Sequence, residues 1–244
     1  MNRINILKKI KIFLNIIIFI FSYLLYLIQL ILIFFNLKKE AKIIFKFAAY
    51  ICSLSLGISY SINNNFKYLF LKKGIHISNH DNPLDIFAAQ HLFGMKTITT
   101  VNQHLKTFLP FFELSLKNYG YFCFDYKNFN ERKLAYLYLR KICSIEKNIL
   151  IYPSGSIYTS IKTRFSKSVS KISFMNNIIV IAWKFAFVDN SKIEYDRNIA
   201  KFILRRFFSE EIILRVDKVK IYNPKDYENY DQLHYALKKF YLIN

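Results

Sequence analysis

Acidic residues are scarce in this chain of 244. Sixteen Asp and Glu stand against 36 Lys and Arg, a formal net charge of +20. A basic excess of this size points to anionic partners: nucleic acid, anionic lipid surfaces or acidic substrates. Cysteine is scarcer still. Cys52, Cys123 and Cys143 are odd in number and widely spaced. They exclude a disulfide framework and a CxxC metal motif, and a reducing compartment is the default. Glycine (5) and proline (4) are too few for a low-complexity linker. Ile, Lys, Asn, Phe and Tyr are abundant instead, the bias of an AT-rich genome. That bias inflates lysine without any function, so the placement of charge says more than its total. With 53% hydrophobic and 18% aromatic residues, a sizeable core forms and disorder is excluded.

Charge is absent altogether from residues 12 to 35, IFLNIIIFIFSYLLYLIQLILIFF. About 20 apolar residues span a bilayer core as a helix. The run is too long for a cleaved signal peptide, and no small-residue cleavage site follows it. A second, weaker apolar run covers 43 to 62 and is interrupted by Lys46. Both flanks of the first run are basic: Arg3, Lys8, Lys9 and Lys11 before it, Lys38, Lys39 and Lys42 after it. Positive charge stays cytoplasmic, so equal charge on both sides argues against a hairpin with residues 36–42 outside. The pattern predicts two helices half-sunk in the cytoplasmic leaflet, with a single true span as the alternative. The predicted division is a membrane-anchoring helical segment, 1–62, and an α/β domain, 63–244, marked by Ser61-Ile-Asn-Asn-Asn65.

Beyond that boundary short strand-like runs alternate with helical ones. Strands are expected at 74–78, 121–126, 149–152, 178–187 and 212–222, and helices at 83–93, 131–147 and 230–242. Such alternation reads as α/β, a central, mostly parallel sheet flanked by helices. The helix 131–147 is amphipathic, with Leu134, Leu137, Tyr138 and Ile142 spaced helically between basic residues.

The stretch GIHISNHDNPLDIF, 74–87, ends a strand in polar residues. Asn82 is a suitable N-cap, Pro83 suits the first helical position, and Asp85 then falls in the first turn, where a carboxylate complements the helix dipole. A side chain there can reach back to His80 in the preceding loop. One imidazole nitrogen would rest on Asp85 while the other faces a cleft, the orienting half of a triad without a serine. Alone, a His-x4-Asp pair is a weak signal: Asp85 is also an ordinary first-turn carboxylate, and His80 an ordinary loop histidine. His76, His91 and His104 lack metal-ligand spacing, so no metal is expected.

The surrounding stretches strengthen the pair. Asn79-His80-Asp81-Asn82-Pro83-Leu84-Asp85 resembles the NHx4D motif of the glycerolipid (lysophospholipid) acyltransferase family, which includes the 1-acylglycerol-3-phosphate acyltransferases. Residues 105–112, LKTFLPFF, resemble that family's stretch after the first helix. GYFCFD, 120–125, resembles its second motif and ILIYPSGS, 149–156, its Phe-Pro-Glu-Gly-Thr element. IIVIA, 178–182, sits where the fourth, apolar motif belongs, and an N-terminal membrane-associated helix pair is known in the family. The resemblance covers roughly residues 70 to 190, and motif order makes it more specific than any one block.

The resemblance implies that His80 is the general base for a lipid hydroxyl and that Asp85 orients it. The hydroxyl attacks an acyl thioester directly, with acyl-CoA or acyl carrier protein as co-substrate, no cofactor and no acyl-enzyme. It also implies substrate contacts from Asn79, Asp125, Lys127, Ser154, Gly155 and Ser156, and oxyanion donors among backbone N–H groups around Gly155. Three residues depart from the family pattern. Tyr126 and Ile157 stand where arginines are usual, and Ser154 stands where Glu is usual. Arginine suits phosphate because its planar fork binds oxygens in pairs. Here Lys127, Lys162 or Arg164 would supply the charge, or the acceptor is a different lysolipid or an amine lipid. The expected protein is a membrane-bound acyltransferase of phospholipid synthesis, its catalytic domain on the cytoplasmic face and its partners lipids and the acyl donor. A non-catalytic membrane protein with the same fold is the competing reading. Nucleic-acid binding is disfavoured by dispersed lysines and the uncharged N-terminal run.

Overall fold

The computed structural model describes residues 3–79, 84–85, 91–93, 97–102, 114, 122–124, 128–143, 148–154, 165–188, 199–209 and 211–242. Two helices come first. The helix α1, Arg3–Phe34, takes in nearly all of the uncharged run and rises about 48 Å at 1.5 Å per residue. It ends in a Schellman turn. Asn36 takes φ 61°, Leu37 N–H donates to the Leu32 carbonyl at 2.8 Å, and Asn36 N–H donates to that of Ile33 at 2.9 Å. The helix α2, Lys38–Ser55, then folds back along α1. Its buried residues Ala41, Phe45, Ala48, Ala49 and Cys52 recur at helical spacing, and most are small, so the two backbones approach closely. Tyr26 meets Phe45 edge-on at 5.7 Å. Among the described helices, only the stretch 6–34 is long and apolar enough to cross a bilayer by length and composition.

The second apolar run is not one element. Gly57, with φ 71°, follows the C-cap Leu56 in the left-handed position that ends helices. The chain then re-enters as strand β1, Ile58–Ser61. Periodicity cannot separate helix from strand over so short an apolar tail. Strand β1 precedes the boundary expected at residue 62, yet pairs with the sheet of the following domain.

The other strands are β2, Ile75–Ser78; β3, Thr97–Asn102; β4, Phe122–Phe124; β5, Asn148–Ile151; β6, Val180–Val188; and β7, Ile212–Tyr222. They form a seven-stranded sheet in the order β1-β7-β6-β2-β5-β3-β4. Only β6 and β7 pair antiparallel. The expected α/β architecture, mostly parallel and flanked by helices, is the observed one. After the single-turn α3, Asn64–Lys67, the covering helices are α4, Phe129–Cys143; α5, Ser168–Asn176; α6, Ile199–Phe208; and α7, Tyr230–Leu242. Helix α4 starts two residues earlier than expected because Asn128 caps it, its Oδ1 accepting from Asn130 N–H at 2.9 Å. Of the helix expected over 83–93, Asp85, His91 and Leu92 are helical, and residues 86–90 lie outside the description.

Strand alternation sorts the sheet into two faces. Ile75, Ile77, Ile149, Ile151, Val180 and Ala182 point to one side, where helices α4, α5 and α7 cover them with Ile142, Ile172, Leu233 and Leu237 among others. Leu150, Ile181 and Trp183 point to the other, against Leu69, Phe70 and Phe93. Further along that second side, Ile58, Ile212 and Leu214 pack on Phe202, Ile203 and Phe207 of α6, and Cys52 of α2 and Phe19 of α1 join them. Phe19 and Phe207 meet edge-on at 5.4 Å. Buried Arg206 donates from Nε to the carbonyl of Leu56 at 3.1 Å, placing a cation at the C-terminus of α2. The helix pair is therefore bolted to the sheet through α6. At the start of β2 the backbone closes tightly: Gly74 has φ 154°, and a Cβ there would sit 2.8 Å from the carbonyl oxygen of Ile179.

Candidate active site

In open parallel sheets, ligands bind outside the carboxyl ends of the strands. Strands β2 and β5 are neighbours and parallel, so the residues that follow them, Asn79 and Tyr152, leave the sheet side by side. The sequence-predicted residues come from these two exits and from the exit of β4. Asn79, Asp85 and Ser154 are described. His80, Asp125, Lys127, Gly155 and Ser156 lie outside the described residues.

Asn79 is the first residue past β2. Its Oδ1 accepts from Phe185 N–H at 2.8 Å and its Nδ2 donates to the Phe185 carbonyl at 2.9 Å. Both ends of its carboxamide thus reach strand β6. Asp85 is half-buried and helical. Its main-chain oxygen accepts a hydrogen bond from Tyr152 Oη at 3.3 Å, which ties the exit of β5 to the first turn after the motif. Asp85 lines a small cleft with Ser78, Leu92, Phe93, Tyr152, Phe185 and Leu214. Ser154 is buried, and among the described residues its Oγ has no hydrogen-bond partner. A buried hydroxyl left bare costs about 1–3 kcal/mol, so a polar partner would be bound there with profit.

Beneath the cleft lies a cluster that sequence reasoning passed over. The indole of Trp183 is fully buried and stacks on Phe70 at 4.2 Å and Phe185 at 6.1 Å, while Phe93 meets it edge-on at 5.6 Å. Trp183 Nε1–H donates to His76 Nδ1 at 3.0 Å. An indole nitrogen only donates, so Nδ1 of His76 must accept, and its proton sits on Nε2, which donates to the Lys72 carbonyl at 2.8 Å. Burial pushes the His76 imidazole down to about 4, against an opposing pull from that carbonyl. His76 is thus a neutral structural imidazole with both nitrogens committed. The signal was in the sequence: strand alternation puts His76 on the same face as Trp183, with which it shares a register pair through Ile181. Among the described residues, no group of three His, Cys, Asp or Glu side chains is arranged to hold a metal ion.

Comparison with known proteins adds two findings. A sequence profile of the family described as Acyltransferase matches residues 61–189. The whole structure is similar to that of the 1-acyl-sn-glycerophosphate (LPA) acyltransferase PlsC from Thermotoga maritima. The TM-score is 0.65 at 12% sequence identity, over 96% of this chain and 94% of that one. At that identity the likeness speaks for the fold. No curated protein sequence matches the chain. With the profile covering just over half of its length, and with Asn79 and Asp85 set at the carboxyl edge of the sheet, the chain belongs to the acyltransferase family.

Proposed function

We propose that the protein moves a fatty acyl group from a thioester, acyl-CoA or acyl carrier protein, to the hydroxyl of a lysophospholipid, with 1-acylglycerol-3-phosphate as the first acceptor to test. The observation that supports this best is the placement of Asn79 and Asp85. They flank His80 in sequence; Asp85 lines a mostly apolar cleft, and Asn79 is held on Phe185, which lines it too. In this reading His80 removes the proton from the acceptor hydroxyl as its oxygen attacks the thioester carbonyl. Asp85 orients the ring and supports the imidazolium. The tetrahedral intermediate collapses to the ester, the thiolate leaves, and the imidazolium returns the proton to it. Backbone N–H groups around Gly155 would hold the oxyanion.

The acceptor site differs from the usual pattern at Tyr126, Ser154 and Ile157. Lys127 supplies a point charge for a phosphate in this reading, and the bare Ser154 hydroxyl meets a polar group of the acceptor. The exposed apolar side chains of α1 and α2, such as Phe13, Phe21, Ile43 and Phe47, belong in the lipid, with the basic ends at anionic headgroups on the cytoplasmic face.

The test is acyl transfer by the purified full chain across a panel of lysolipids, with each donor. His80→Ala is expected to lose about 10²–10⁴-fold in rate without a change in melting temperature. Full activity of that variant would overturn the role of His80. A panel without any acylated product would favour the non-catalytic reading.

A further inference from the structure

We infer that Asn79 is a positioning residue: its side chain completes the β2/β6 ladder so that the main chain can leave the sheet at a fixed point and deliver His80. This rests on the reading of His80 as the base. The parallel ladder pairs Ser78 with Trp183 and goes no further along β2. The next groups on β6 that face β2 are the N–H and C=O of Phe185. Both are taken by the Asn79 carboxamide, at 2.8 and 2.9 Å, in the two-point pattern of a peptide group. A side chain thus does what one more residue of strand would do. The backbone leaves the ladder at residue 79, immediately before the motif histidine in sequence.

Phe185 is itself held still. Its ring stacks on Trp183 at an interplanar angle of 7° and meets Phe93 edge-on at 6.2 Å. Opposite it the β6/β7 register shifts: Lys184 pairs with Lys218, but Phe185 pairs with Val216, leaving Asp217 as the extra residue of a bulge. Bulges bend a strand and re-aim it. This one lies at the residue whose peptide groups grip Asn79. From β7 through Phe185 to Asn79, each member fixes the next, and His80 is one bond further on.

A misplacement of about 1 Å in a catalytic group costs on the order of 10²-fold in rate. The test uses the full chain in lipid or detergent, with kcat, KM and the pH profile of kcat/KM for an active acceptor. Asn79→Ala is expected to lower kcat by about 10- to 100-fold, with KM little changed. It should also displace the acidic limb of the profile, because the ring no longer rests on its carboxylate in the same way. Asn79→Asp, which keeps the acceptor for Phe185 N–H but loses the donor, should fall between that variant and wild type and covers the case in which Asn79→Ala does not fold. In a His80→Ala background Asn79→Ala should add no further loss, since both act through one group. A lower melting temperature with kcat and the acidic limb unmoved would overturn the inference, as would losses that add in the double variant. An inactive His80→Ala beside a silent Asn79→Ala sinks this inference alone. An active His80→Ala sinks it together with the base.

Discussion

The two faces of the sheet are built on different terms. One is mostly aliphatic at its central strand positions, with Ile75, Ile77, Ile149, Ile151 and Val180 under three helices. The other, one residue out of phase, carries His76, Trp183 and Phe185, hydrogen-bonded and stacked in fixed orientations. Apolar contacts are non-directional and tolerate exchange of similar volumes, whereas a buried polar network must be satisfied in full. The aliphatic face therefore supplies stability that tolerates exchange, and the aromatic face supplies stability tied to one fixed geometry. It is the second face that leads to Asn79 and the cleft beside Asp85.

Mutation separates the two roles. Trp183→Ala should be the most costly change, about 3–5 kcal/mol, because it removes a fully buried indole and leaves Nδ1 of His76 bare. Chemical denaturation would measure it, and a cost near 1 kcal/mol would break the distinction between the faces. Acid should act next, and also on the aromatic face. His76 titrates near 4 when folded and near 6.5 when unfolded, so between those values the unfolded chain binds more protons. The contribution is complete above pH 6.5 and is lost as pH falls, roughly 3 kcal/mol by pH 4. His76→Gln keeps a donor and an acceptor without a titrating ring. The difference between its stability–pH slope and that of the wild type isolates this part. Ile77→Val on the aliphatic face should cost least, about 0.5–1.5 kcal/mol, with acyl transfer per folded molecule unchanged. A drop in its kcat would show that the aliphatic face also sets geometry.

The sequence carried the architecture further than the site. Strand β7 and helix α7 fall on the expected residues 212–222 and 230–242, because β-branched runs and helical spacing are local signals. Strand β3, TITTVN, is polar and went unseen, as did helix α5, SVSKISFMN, whose serines and valine are weak helix formers. The polar motif at 79–85 was visible because its residue types are rare and its cap chemistry is local. The grip of Asn79 on Phe185 spans 106 residues of chain, and the link from Tyr152 to Asp85 spans 67. No window of sequence contains both ends of either contact, so only the folded pairing of β2, β5 and β6 brings them together.

The guanidinium of Arg206 under the last carbonyl of α2 bears on how such an enzyme would sit at a bilayer. An anchor joined by a flexible linker lets the attached body tumble over the surface. Here the two leading helices and the sheet share one packed seam at Phe19, Cys52, Phe207 and Arg206, so an anchor formed by them would be a handle rather than a leash. If α1 and α2 lie in lipid as proposed, their depth and tilt would set one height for the strand ends near Asn79 and Asp85. Access of the proposed acceptor to the cleft would then be a matter of the protein's fixed attitude.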